Sequence, residues 1–268
     1  MGKHTKIEWA DNSHNFWSGC FKVSRGCKFC YMYRMKARYG KDGAIITRAN
    51  DALFYEPLKW KKSSTVFTCS MSDFFLKEAD KWRADAWRVI KDTPHLTWII
   101  LTKRVERIKQ CLPPDWGKGY PNVWLGVSVE NQRTADHRIP LLYEIPAAIR
   151  CLSVEPILGP IDLAPFLNVH IPTPVDKWVY PIHWVIVGGE SGNDNGDYIH
   201  RPAKLDWFRD IIAACREFET PVFVKQLGTH LYHELKLSDR MGGTFEDLIS
   251  HPCLKFENFL KTTFKPKS

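Results

Sequence analysis

The chain lacks a long apolar run. No stretch approaches the roughly twenty consecutive apolar residues that a membrane-spanning helix needs. The opening residues Met1-Gly2-Lys3-His4-Thr5-Lys6 contain no apolar signal core, so the expectation is a cytoplasmic protein with no membrane partner. Internal repeats and low-complexity segments are missing as well. There is no Gly-x-Gly-x-x-Gly fingerprint, no Walker loop, no Gly-x-Ser-x-Gly elbow and no His-Glu-x-x-His helix. Dinucleotide-binding, kinase and hydrolase motifs therefore offer no reading. A disulfide framework is also lacking. Of eight cysteines, Cys69, Cys111, Cys151, Cys215 and Cys253 are scattered singly, mostly in apolar runs, as core thiols in a reducing cell would be.

What is present begins with three clustered cysteines, Cys20, Cys27 and Cys30, spaced Cys-x6-Cys-x2-Cys with Phe29 before the last. Three thiolates can hold three irons of a [4Fe–4S] cluster and leave the fourth open to a ligand. Zinc is the alternative. A structural zinc site takes four ligands, and His14 is the candidate for the fourth.

The net charge of +8 and pI near 9.0 suit an anionic partner. Arg104, Arg107 and Lys109 are expected on one helix face, and Lys261, Lys265 and Lys267 make the tail basic; neither group is a dense basic block. Most of the eleven Trp are expected in the core, with some able to stack on a base or ring substrate.

At 268 residues the length suits one α/β domain. Short β-branched runs recur at Val66–Cys69, Thr97–Leu101, Val123–Val127, Ile149–Leu152, Trp184–Val187 and Val222–Val224. They are near-continuous in apolar character, as strands buried on both faces are. Helical spacing is expected over Lys28–Tyr39, Ala79–Lys91, Val105–Leu112 and Leu205–Phe218, and over Asn131–Tyr143 with a break or end at Pro140. With a first strand near Asn15–Cys20, about seven strands follow. The rhythm predicts an α/β fold, a complete or partial TIM-type parallel (β/α) barrel; a doubly wound open sheet is the alternative. Residues 1–228 make this barrel domain, with an insertion near 156–182. Residues 229–268 form a C-terminal appendage, with Gly242-Gly243 as a turn.

Sites in such folds gather where the strands end. The polar strand ends are Ser70, Ser72 and Asp73; Lys103 and Arg104; Ser128, Glu130 and Asn131; Ser153 and Glu155; Glu190 and Ser191; Lys225 and Gln226. In Gly-Val-Ser-Val-Glu and Cys-Leu-Ser-Val-Glu the Ser and Glu alternate, which would aim both into the barrel mouth. The cysteine loop is expected over the same rim.

The motif resembles that of radical S-adenosylmethionine enzymes, Cys-x3-Cys-x-aromatic-Cys. Cys27-Lys28-Phe29-Cys30 matches, while the first gap here has six residues instead of three. From about residue 7 to 250 the chain is similar to the phage-associated three-Cys-motif proteins. The likeness rests on Ser18-Gly19-Cys20, Arg25–Tyr31, Leu101-Thr102-Lys103-Arg104, Leu125–Glu130, Leu152–Pro156, Val187–Gly192 and Lys225-Gln226.

The resemblance implies an enzyme that generates a 5′-deoxyadenosyl radical. Cys20, Cys27 and Cys30 would hold a [4Fe–4S] cluster whose open iron binds S-adenosylmethionine. In that family a Gly-Gly-Glu string after the second strand binds the methionine ammonium. Gly188-Gly189-Glu190 follows about the sixth strand here, so by position the role passes to Ser72 or Asp73. Lys103 or Arg104 would meet a carboxylate or phosphate. Ser128, Glu130, Glu155 and Glu190 would bind ribose hydroxyls, the ammonium or substrate. Lys103, Glu130 and Glu155 are the candidates for catalysis. A reductant such as a flavodoxin or ferredoxin is implied, with a nucleotide or nucleic-acid base as substrate. A zinc-stabilised, non-catalytic nucleic-acid- or partner-binding protein is the reading of another class.

Overall fold

A computed structural model describes residue 5, residues 7–168 and residues 182–240. The chain order is β1 (Asn12–His14), β2 (Trp17–Ser18), α1 (Tyr31–Arg38), β3 (Thr47–Arg48), α2 (Asp51–Phe54), β4 (Ser64–Thr68), α3 (Asp80–Lys91), β5 (Leu96–Thr102), α4 (Val105–Cys111), β6 (Val123–Ser128), α5 (Gln132–Tyr143), β7 (Ile149–Val154), α6 (Ala164–Leu167), β8 (Trp184–Gly188), α7 (Leu205–Glu217), β9 (Val222–Gln226) and α8 (Thr229–Leu235). Seven strands form one parallel sheet in the order β1-β4-β5-β6-β7-β8-β9. With helices between successive strands, this is the expected α/β class, a partial TIM-type (β/α) barrel. Among the described residues no helix is long and apolar enough to cross a membrane.

Contacts divide the chain into two compact units, Met1–Val127 with Leu141–Ile149, and Ser128–Pro140 with Arg150–Ser268. In the first, β1 runs parallel to β4, β4 to β5 and β5 to β6. Its core is aromatic. Phe16 stacks on Trp98 at 5.6 Å and meets Phe54 at 5.0 Å, and Trp17 lies 5.4 Å from Phe74. Each such ring, fully buried, contributes about 2 kcal/mol by burial alone. In the second unit β7 pairs with β8 and β8 with β9, both parallel. Every residue of β6 and of β8 is buried, which is why these strands read as unbroken apolar runs.

The first strand is not where it was expected. β1 is Asn12–His14, and residues 17–18 instead form β2, antiparallel to β3. Asn15 turns the chain: its Oδ1 accepts the Met71 N–H at 2.7 Å. Helix α5 also runs on through Pro140 to Tyr143. A proline near the last turn removes one N–H donor, and this helix carries that loss. The Asn131–Tyr143 pattern therefore does not break. Among the described residues eight Trp are buried in the core. The segment after β7 forms α6; its residues 169–181, like Gly242-Gly243 and the basic tail, lie outside the described residues.

Candidate functional site

The three-cysteine loop belongs to the first unit and follows β2, not β1. Gly19 sets its start. With φ +93 it adopts a backbone form that favours glycine, and a Cβ there would lie 2.3 Å from the Ile45 carbonyl oxygen. A 3-10 turn at Arg25–Cys27 leads to Cys30, the residue before α1. Cys20, Cys27 and Cys30 are all free and partly exposed.

The turn after β4 straps this loop down. Cys69, left-handed at φ 58, begins it. The Gly19 N–H donates to the Met71 carbonyl at 3.0 Å, and Ser72 Oγ donates to the Gly19 carbonyl at 2.5 Å. Tyr31 donates its hydroxyl proton to the Ser70 carbonyl, and Tyr33 to the Cys20 carbonyl. Ser72, expected to bind cofactor, is thus placed as a strap beside the cysteines.

Asp73 is buried, and its carboxylate is saturated. Oδ1 accepts from Thr102 Oγ1 at 2.7 Å and the Phe75 N–H at 2.9 Å; Oδ2 accepts from the Lys103 N–H at 3.1 Å and Arg104 Nη1 at 3.0 Å. Two oxygens offer about four acceptor positions, and four donors fill them. Arg104 in turn reaches the loop, with Nη1 3.6 Å from Cys20 Sγ and Nη2 2.8 Å from the Phe21 carbonyl.

Each sulfur has a polar neighbour suited to a thiolate. Burial pushes the Cys20 thiol up to about 12 while the Arg104 charge pulls it down. Burial also raises the Cys30 thiol, opposed by the Met32 amide at the start of α1 and by the Lys103 charge. Cys27 Sγ lies 3.8 Å from Ser24 Oγ. Burial lifts the Tyr33 hydroxyl to about 12, with the three cysteines adding to it. Without a metal, then, the Cys20 and Cys30 thiols stay protonated at neutral pH and are poor nucleophiles.

His14 does not join them. It is buried at the end of β1, edge-on to Phe16 at 4.5 Å, Trp98 at 5.9 Å and Trp60 at 6.0 Å. Desolvation lowers its pKa to about 4, against a backbone hydrogen bond to Phe54, and its Nε2 has no partner. It is a neutral core histidine. Among the described residues no group of three or more His, Cys, Asp or Glu is arranged to hold a metal ion.

The second unit receives the remaining candidates, and most are ion-paired. Glu130, fully buried, accepts from Arg138 Nη1 at 3.2 Å, and the same nitrogen donates to the Ser128 carbonyl at 2.6 Å. Glu190 is gripped by Arg201: Nε donates to Oε2 at 2.7 Å, the Arg201 N–H at 2.9 Å, and Nη2 to Oε1. Glu155 pairs with Lys225 at 3.0 Å and remains partly exposed. The glycines before Glu190 serve packing. A Cβ on Gly188 would strike Glu155 Oε1 at 2.4 Å, and one on Gly189 the Leu227 carbonyl oxygen at 2.0 Å.

Arg104, Arg107 and Lys109 do not share a partner or a free face. Arg104 is buried on Asp73, Arg107 pairs with Asp80 at 2.7 Å and Lys109 with Glu144 at 3.6 Å. A groove of 580 Å³ beside α3 and α4 holds Arg107 and Lys91, but Lys91 is already paired with Asp115 at 2.5 Å.

Residues 4–251 match a family described as a protein of unknown function, DUF5131. The chain belongs to this family. No curated protein and no solved structure matches it. For this family member, reading the sequence missed Tyr31, Tyr33 and Ser24 as partners of the cysteine loop and its strap. Gly19, directly before Cys20, was the one local signal of a constrained loop.

Proposed function

We propose that the chain is an iron–sulfur enzyme of the radical S-adenosylmethionine type, with Cys20, Cys27 and Cys30 as the cluster ligands. The observation that carries this is the setting of the three free thiols on one strapped loop, with Arg104 directed at Cys20 Sγ at 3.6 Å. Thiolate ligands carry negative charge, and N–H donors beside the sulfurs stabilise it and tune a cluster's potential. The donor set fits. Three thiolates would hold three irons of a [4Fe–4S] cluster and leave the fourth open to a ligand. A zinc site lacks its expected fourth ligand, since His14 is packed among aromatic rings.

When bound and reduced by an electron donor, such a cluster would supply an open iron and the one electron that cleaves S-adenosylmethionine to methionine and the 5′-deoxyadenosyl radical. The chain's own residues hold the site for this. Asp73, with no free acceptor, positions Arg104 and does not meet the ammonium. Lys103, partly exposed and close enough for its charge to act on Cys30, remains the group for a carboxylate or phosphate. Glu155 and Lys225 are the partly exposed charged pair of the second unit. A flavodoxin or ferredoxin fits as the reductant, and a nucleotide or nucleic-acid base as the substrate.

Anaerobic reconstitution with iron and sulfide, followed by metal analysis, tests the reading. It expects about four irons and four sulfides per chain. Stoichiometric zinc with no retained iron would instead favour the non-catalytic zinc protein.

A further inference from the structure

The chain's excess charge is not spread over its surface. Residues 21–41 contain seven of the 38 Lys and Arg and none of the 30 Asp and Glu, so the rest of the chain carries 31 against 30. The net +8 is therefore almost entirely a property of the cysteine loop and α1. The loop supplies Lys22, Arg25 and Lys28; α1 supplies Arg34, Lys36 and Arg38; Lys41 follows.

The same segment exposes rings. Tyr39 is 76% exposed, Phe21 41% and Tyr31 39%. Tyr31, Arg34, Met35 and Arg38 have i, i+3, i+4, i+7 spacing and share one face of α1. Loop and helix are one surface: Lys22 Nζ lies 4.9 Å from the Tyr33 ring centre and 3.0 Å from the Lys28 carbonyl oxygen. The Cys20 N–H donates to the Gly43 carbonyl at 3.0 Å, which brings the segment after α1 against the loop.

We infer that this face binds single-stranded nucleic acid. Cations track a phosphate backbone, and exposed rings stack on unpaired bases, which a duplex withholds. A helix made to lie in a membrane interface separates its cations from its apolar residues; here Tyr31 and Met35 are interleaved with Arg34 and Arg38. The inference names a surface for the nucleic-acid substrate proposed above, but it stands on charge and exposure and does not require the cluster.

Fluorescence anisotropy with a labelled twenty-nucleotide thymidine oligomer tests it, using the full chain with and without reconstituted iron. Binding is expected in both forms. With about five phosphates neutralised, affinity should fall on the order of 100-fold between 50 and 200 mM salt. Arg38→Glu with Lys41→Glu should weaken binding at least tenfold, and Tyr39→Ala about fivefold, with iron content unchanged in each. Lys61→Glu with Lys62→Glu makes the same change of net charge at two exposed residues outside the segment and should have less than a threefold effect. Equal losses from the two double variants would overturn the inference, because net charge alone would then explain them. So would equal affinity for duplex, or binding to anionic vesicles and not to the oligomer. Since iron content is read separately, failure of the unsubstituted chain to bind the oligomer while it takes up iron sinks this inference alone, and binding by that chain without iron uptake sinks only the cluster.

Discussion

In the first unit a buried carboxylate, Asp73, holds Arg104; in the second, Glu190 holds Arg201. The pairs look equivalent in composition and differ in where the guanidinium goes next. Arg201 turns both Nε and Nη2 onto its carboxylate. Arg104 gives Nη1 to Asp73 and still reaches Cys20 Sγ and the Phe21 carbonyl. In one pair two guanidinium nitrogens end on the carboxylate, while the other carries the position of a buried carboxylate to a sulfur. Buried ion pairs are weak evidence of function, because breaking any of them is costly; an additional donor aimed at a thiol separates the two.

The widest separation should come from the thiols. Replacing Cys20, Cys27 and Cys30 with alanine is expected to reduce bound iron at least tenfold and to leave urea unfolding nearly unchanged, since all three are partly exposed. Iron retained by this variant would remove the first unit's claim to the site.

Next come the buried pairs. Asp73→Ala should lower unfolding free energy by about 3 kcal/mol, the penalty of leaving the buried Arg104 guanidinium without its partner, and Glu190→Ala by somewhat less, since the Arg201 side chain is 18% exposed. Only the first should also lower iron occupancy. Arg104→Lys sharpens the point: an ammonium lacks the planar fork needed to reach Asp73, Cys20 and Phe21 together, so iron affinity should fall about tenfold. Arg201→Lys should leave iron binding as it is. If both lysine variants bind iron like the parent, the difference between the pairs has no functional meaning.

These pairings were hidden in the sequence. Arg104 lies 31 residues from Asp73, Arg201 eleven from Glu190 and Arg138 eight from Glu130; only folding brings them together. Glu130 and Glu190 look like open strand-end carboxylates until their partners are placed. The parallel strands were legible for the opposite reason, since burial on both faces leaves an unbroken apolar run in β6 and β8. The two-residue β2 is too short to show any period, so the stretch before Cys20 read as the first strand of the sheet. The grouping of cations on residues 21–41 is present in the sequence, yet it acquires meaning only when loop and helix form one exposed surface.

An acid titration distinguishes the first unit's core. The folded pKa of His14 is lowered to about 4 from 6.5, so the unfolded chain takes up this proton first as pH falls. The stability tied to neutral His14 is complete above about pH 6.5. It is lost progressively down to about pH 4, and the loss levels off below that at about 3 kcal/mol. His14→Phe should flatten this part of the stability curve, read by urea unfolding at each pH. An unchanged slope would mean that His14 is not the group responsible.

The smallest effect is expected at Glu155 and Lys225, a partly exposed pair. Lys225→Met should change stability by about 1 kcal/mol or less. A loss as large as that of Glu190→Ala would show that this pair too is structural.

The most direct test of the central claim is the EPR spectrum of the reduced, iron-reconstituted chain with and without S-adenosylmethionine. The account predicts a [4Fe–4S]⁺ signal whose shape changes when S-adenosylmethionine is added, because the ligand reaches an iron that the three cysteines leave open. A cluster signal indifferent to S-adenosylmethionine, or no cluster signal at all, would contradict it.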